Sequence, residues 1–275
     1  MIYFGNKGSM RWVKAPTVDF DASRVGWTSQ VQFLNGGTSI RSSVASHANA
    51  SLAWGLMSNE EAREILRPLR SGQPVYWVDP FVDNQLPQAW AEPWRAGYDG
   101  PILDNSDVRP KLTPQSAMNN YPTEAADYTL TADTAGLRKS VWLPIPPGYT
   151  MHIGATGQIM SGTAQLQIQS DSGSPYNMTF SDPASADPYT VSINGGSGGN
   201  GVTFRLVGNG VLRLRSIMAH LAPTGSQPRS DGFVEGEGMA GALPAAQPSE
   251  SRYSAVLNGQ NRTVSVRLVE VGSWQ

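Results

Sequence analysis

One stretch limits what this chain can fold into. Ser58–Asp79, SNEEAREILRPLRSGQPVYWVD, carries the only convincing helix signal in 275 residues. Ser58 and Glu61 have the S-x-x-E spacing of a capping box, in which each side chain satisfies an amide that the helix start leaves open. Ala62, Ile65, Leu66 and Leu69 fall at i, i+3, i+4 and i+7 and form one apolar stripe. Glu60, Glu61 and Glu64 lie toward the positive end of the helix dipole, and Arg63, Arg67 and Arg70 toward the negative end. Pro68 donates no amide and Gly72 follows the last apolar position, so the helix is predicted to stop near there. Val75–Asp79 then reads as a strand. A single short amphipathic helix needs a sheet on which to bury its stripe.

The rest of the chain supplies strands. Residues 11–20 read as an edge strand broken by Pro16. Trp27–Leu34 alternates, with Trp27, Val31 and Phe33 on one face. Asn35-Gly36-Gly37 is a hairpin turn signal, and Thr38–Ala45 returns with Ile40 and Val44 on one face. Ser51–Met57 alternates with Leu52, Trp54 and Leu56 facing one way. Pro80–Gly100 reads as an extended segment pinned by Trp90, Trp94 and Tyr98. The alternative, an aromatic sugar platform, needs those rings exposed.

The texture changes from about Pro110. Residues 125–234 contain no glutamate and no sustained helical period. Strand candidates recur at Tyr128–Ala132, Ser140–Ile145, Thr150–Ala155, Ala164–Gln169, Tyr176–Ser181, Tyr189–Ile193, Val202–Val207 and Val211–Leu221. Pro147-Gly148, Ser172-Gly173 and Asn209-Gly210 separate several of them. Short strands at this spacing point to a jelly roll or lectin-like sandwich. The last fifty residues carry a strand face (Val264, Val266, Leu268) but too little surface to cover it alone. The expected division is therefore 1–110 and 226–275 as one discontinuous unit, with 111–225 inserted. The fold class is mainly β: a β-barrel or sandwich with one flanking helix, plus an inserted jelly-roll sandwich.

Composition and motifs narrow the chemistry. With 20 basic and 22 acidic residues, the net charge of −2 points to neither nucleic acid nor an anionic membrane. No apolar run is long enough to span a membrane, and MIYFGNKGSM lacks a signal-peptide pattern, so folding in a cytoplasm is expected. Zero cysteines exclude disulfides, thiolate metal sites and cysteine nucleophiles. Gly195–Gly199 matches G-x-S-x-G, but INGGSGGNG reads as a hairpin loop rather than a strand-to-helix elbow. Gly236–Gly241, GEGMAG, matches G-x-G-x-x-G, yet ALPAAQP opens no helix after it, so a glycine turn or bulge is expected. His47, His152 and His220 are widely spaced in sequence and read as sheet residues. Asp182 and Asp187 each precede a proline in a turn, and calcium on Asp171–Gly173 or Asp182–Asp187 would lack EF-hand spacing. The expectation is no catalytic, cofactor-binding or metal residue, with no carbohydrate-binding residue assigned.

Several separated segments carry a resemblance. They are IYFGNKGSMRWVKAP, VGWTSQVQFLNGGTSIRSSVASHANASLAWGLMS, the capped helix with PVYWVDPF, and GFVEGEGMAGAL followed by YSAVLNGQNRTVSVRLVEVGSW. Together they resemble minor tail proteins of long-tailed phages infecting actinobacteria, in the distal tail protein group, over residues 1–107 and about 229–275. The resemblance implies a tail-tube-like β domain and a structural, non-enzymatic role in the virion of a siphophage. It implies a homo-oligomer, usually a hexameric ring, at the tail tip, assembled in the host cytoplasm. The implied partners are the tail tube protein, the tape measure protein and tip or baseplate proteins. The middle segment resembles the galectin-like or carbohydrate-binding-module insertion of such proteins in strand pattern alone. It has neither H-x-N-P-R nor W-G-x-E, so no sugar site is carried over. The alternative reading is a carbohydrate-binding receptor protein of the tail tip that recognises host cell-wall glycans.

Overall fold

The computed structural model describes residues 1–16, 21–25, 28–32, 38–42, 47–78, 82–93, 111–113, 125–131, 141–180, 189–229, 232–239, 241–255 and 259–270. In chain order, the first part contains β1 (Ile2–Asn6), β2 (Arg11–Val13), β3 (Asp21–Val25), β4 (Thr28–Gln32), β5 (Thr38–Ser42), β6 (His47–Met57), α1 (Asn59–Leu69), β7 (Val75–Val78) and α2 (Gln88–Ala91). Then follow β8 (Lys111–Thr113), β9 (Ala125–Leu130), β10 (Val141–Ile145), β11 (Tyr149–Gly162), β12 (Gln165–Ser170), β13 (Tyr176–Asn177), β14 (Val191–Asn194), β15 (Asn200–Val207) and β16 (Gly210–Pro223). The chain closes with β17 (Ala242–Pro244), β18 (Ser249–Ala255) and β19 (Gly259–Glu270).

Both ends of the chain build one sheet. Its order is β2-β1-β7-β17-β19-β6-β3, with β18 also paired to β19. β19 lies antiparallel to β6, placing Val264 opposite Trp54, Val266 opposite Leu52 and Leu268 opposite Ala50. Side chains directly opposite share a face, so Val264, Val266 and Leu268 join Leu52 and Trp54 in one apolar layer, all of them buried. α1 covers that layer with Ala62, Ile65, Leu66 and Leu69, the four residues of the sequence stripe. Its capping box is formed: Glu61 N–H donates to Ser58 Oγ at 3.2 Å, and Ser58 N–H donates to Glu61 Oε2 at 2.7 Å. The bond from the Ser58 amide, then that from its hydroxyl, holds the Glu61 carboxyl below the usual glutamate range. Pro68 sits within the last turn and Gly72 follows at φ +73°.

Leu56 departs from the expected alternation. Leu52 and Trp54 are buried as expected, but Leu56 is 72% exposed and Met57 is buried in its place. The pairing with β19 slips here: Val264 is opposite Trp54, whereas Arg262 is opposite Met57. One extra residue in β6 makes a bulge, which turns the following side chains over. Leu56 adopts φ +49°, a left-handed conformation unusual for a non-glycine residue.

The second unit has two sheets, β10-β15-β12-β13 and β14-β11-β16-β9-β8. Strict alternation along β12 and β15 buries Leu166, Ile168, Val202, Phe204 and Leu206 against Met151, Ile153, Leu212, Leu214 and Ile217 of the other sheet. Seven of the eight strand candidates between residues 128 and 221 form strands at those places; of Tyr176–Ser181 only Tyr176–Asn177 is a strand, and Ser181 lies outside the described residues. β11 continues to Gly162, through two irregularities in its pairing with β16. Gly195–Gly199 does not close a hairpin: β14 pairs with β11 while β15 pairs with β10 and β12, so the run passes between sheets. β4 and β5 pair as expected, and the 35–37 turn lies outside the described residues. The fold is mainly β. Among the described residues no sheet closes into a barrel, and layered sheets with one substantial helix make the architecture.

Candidate functional site

The residues singled out in the sequence divide into four groups. Trp90 is fully buried in the core shared by the two sheets, together with Leu86 and Ala91, so it anchors α2 and is no sugar platform. Trp94, Tyr98, Asp182 and Asp187 lie outside the described residues. His152 and His220, 68 positions apart, face each other across β11 and β16, with the Tyr189 ring 5.8 Å and 6.2 Å from theirs. His152 Nδ1 bonds Ser192 Oγ at 2.9 Å, and His220 Nδ1 bonds the Asp83 carbonyl at 2.9 Å. Sheet register, invisible in the spacing, brings these rings together. Asp171 accepts from Trp142 Nε1 at 2.9 Å and lies 4.0 Å from Lys7 Nζ. Among the described residues no three metal-ligating side chains cluster.

The junction between the eight-stranded sheet and the two-sheet unit is built around Asn84. β9 pairs with β16 only as far as Leu214, which leaves the edge beyond it to be covered. Residues 84–86 take that place: Gln85 N–H donates to Ala219 C=O at 2.9 Å. The Asn84 side chain completes the edge. Its amide group donates to the Ile217 and Val234 carbonyls at 3.1 Å each, and its oxygen accepts from the amides of Ala219 (3.1 Å) and Leu86 (3.2 Å). A fully buried carboxamide with both donors and two acceptor sites used is a satisfied network, which fixes three chain segments together. The GEGMAG run lies across this point. Gly238 N–H donates to the Asn84 and Leu86 carbonyls at 3.1 Å each. A Cβ at Gly238 would collide with the Gln85 backbone, and one at Gly236 with Leu86 O and Ala91. Close backbone approach explains these glycines. Aromatic contacts extend the junction: Trp12 lies 5.4 Å from Tyr3 and 6.1 Å from Tyr149, and Tyr76 meets Trp142 edge-on at 4.6 Å.

A further concavity lies between α1 and the β18–β19 hairpin. It is a cleft of about 560 Å³ whose walls are mostly guanidinium groups. α1 contributes Arg63 and Arg67, and its C-cap Arg70, on the solvent side, one turn apart, because the apolar stripe faces the sheet. Arg252 and Arg262 stand directly opposite each other on β18 and β19. Glu250, on the same face of β18, accepts from Arg262 at 2.7 Å and from Arg70 and Arg252 at 3.4 Å. The Glu250 and Arg262 side chains are each 12% exposed. Sequence reading saw the three helix arginines only as partners of the helix dipole. The β18–β19 hairpin packs against the helix, which places the other two.

In comparisons with family models, curated proteins and solved structures, nothing matches this chain. No helix among the described residues is long and apolar enough to cross a membrane.

Proposed function

We propose that this chain is a structural minor tail protein of a bacteriophage virion, forming a ring of six copies at the distal end of the tail, where tube meets tip or baseplate. On this reading, residues 1–110 and 226–275 form the tube-like unit and 111–225 are inserted in it. The tail tube protein, the tape measure protein and tip proteins are the neighbours. The observation that carries the reading is the position of β19 between β17 and β6, in a sheet begun by β1 and ended by β2 and β3. Both chain ends are thereby committed to one sheet, open among the described residues. Terminal strands of an open sheet are natural pairing edges, and closed symmetry of identical copies uses every such edge.

The way charged side chains are used supports a role without turnover. Asp127 holds Arg213 through two bonds of 2.7 Å and 2.8 Å, Glu61 closes a helix cap, and Asp171 supports the Trp142 ring at the junction. A mass measurement on isolated tail tips tests the proposal: equal, symmetry-related copies are expected. One or two copies per particle would exclude a ring.

A further inference from the structure

We propose that the arginine cleft between α1 and the β18–β19 hairpin is a docking site for an acidic peptide segment of a partner protein. The inference stands on the cleft alone and does not depend on ring formation. Its first support is charge. Five guanidinium groups surround one carboxylate, in a chain whose overall charge is −2. Like charges placed directly opposite across a strand pair destabilise it, and Arg252 faces Arg262 in this way. Glu250 relieves that pair and reaches Arg70, but it is a single carboxylate shared by three cations.

The second support is unused donor capacity. Arg63 and Arg67 are exposed and have no ion-pair partner among the described residues. Arg262 Nε is buried without a hydrogen-bond partner among them, although buried polar groups are nearly always paired. Guanidinium forks match carboxylates, and Glu250 in the lining is already held by single bonds from Arg262, Arg70 and Arg252.

The lining also selects the class of ligand. Among the described residues, the lining apart from the arginines and Glu250 is Leu66, itself buried. Among the described residues no aromatic ring lines it on which a base or sugar could stack. What the cleft presents is charge, spread along about two turns of helix and an adjoining hairpin, which fits successive carboxylates on an extended segment.

Fluorescence anisotropy of labelled hexaglutamate against the full chain tests this, with tripolyphosphate and hexalysine as comparison probes. Hexaglutamate should bind at low ionic strength and lose most of its affinity at about 0.5 M salt, where charges are screened within a few ångströms. An Arg63→Gln/Arg67→Gln variant, which keeps the Glu250 pairings, should bind hexaglutamate roughly tenfold more weakly, a difference of about 1.4 kcal/mol. Arg205→Gln, which removes a charge from the four-stranded sheet, should leave binding unchanged. An unchanged unfolding midpoint for the double variant ties its loss to the cleft. Equal binding by the double variant and the parent overturns the proposal, as does failure of hexaglutamate to bind. Tripolyphosphate binding where hexaglutamate does not would assign the cleft to phosphate and likewise overturn it.

Discussion

Asn84→Ala should be among the most damaging single substitutions in this protein, although it removes no apolar side chain. The change strips the amides of Leu86 and Ala219 and the carbonyls of Ile217 and Val234 of a partner at once. A buried group left unsatisfied costs about 1–3 kcal/mol. Water entering the vacated polar volume satisfies some of the four, which places the expected loss at about 3–6 kcal/mol. Urea unfolding followed by tryptophan fluorescence measures it, since Trp90 lies in the adjoining core. Asn177→Ala is the control: Asn177 is exposed and accepts one bond from Gln167, so its loss should stay within about 0.5 kcal/mol. Asn84→Asp supplies an independent check. A carboxylate there keeps the two acceptor contacts but turns charge toward two carbonyls, so its folded pKa rises above the unfolded value of about 3.9. The penalty is full well above that pH and shrinks as pH falls, which is the sign required of an acid with a raised folded pKa. An Asn84→Ala loss under about 1 kcal/mol, or an Asn84→Asp variant equally weakened at all pH values, would refute the keystone role.

Further predictions concern the framework. Ser58→Ala should cost about 1 kcal/mol through the lost cap, and Leu66→Ala about 2–5 kcal/mol. Because Glu61 is held below its usual range, its stabilising contribution is present above about pH 4.3 and is lost as pH falls through the lower folded value. Glu61→Gln should therefore flatten the acid limb of a stability–pH curve, and an unchanged limb would count against the box. Leu56→Gly should be neutral or stabilising by up to about 1.5 kcal/mol. It relieves roughly 1–2 kcal/mol of left-handed strain and loses about 0.5–1 kcal/mol to glycine's greater freedom; a clear drop in melting temperature would show that the bulge is misplaced. Asp127→Ala should cost about 3–5 kcal/mol by leaving the Arg213 charge buried without its bidentate carboxylate, and near-neutrality in thermal unfolding would contradict that pairing.

What was legible in the sequence was local and periodic. The capping box, the Ala62–Leu69 stripe and the Val264, Val266, Leu268 face needed only spacing, because one side of each element is buried. Leu56 failed that logic: a bulge shifts the period by one residue, and the lone Gly55 in LAWGLM is the cue that marks it. Three-residue strands such as β2, β8 and β17 are too short to show alternation. The pairing of His152 with His220 depends on register between distant strands, and the meeting of five arginines on the packing of the β18–β19 hairpin against α1. Asn84 was hidden for a different reason. VDNQLPQ reads as a polar loop, and only the unpaired edge of β16 makes its carboxamide a structural bond. The change of composition near residue 110 likewise says nothing of Leu86, Trp90 and Ala91, which pack in the two-sheet core although they precede it.

The proposed place of this chain in a ring at a tail tip can be tested in whole particles. Averaged electron-microscope images of virions carrying a small label on this chain test it most directly. The account predicts label density repeated six-fold in a ring at the distal end of the tail, coaxial with the tube. Label on a single fibre or on the capsid, or particles that carry none of this chain, would contradict it.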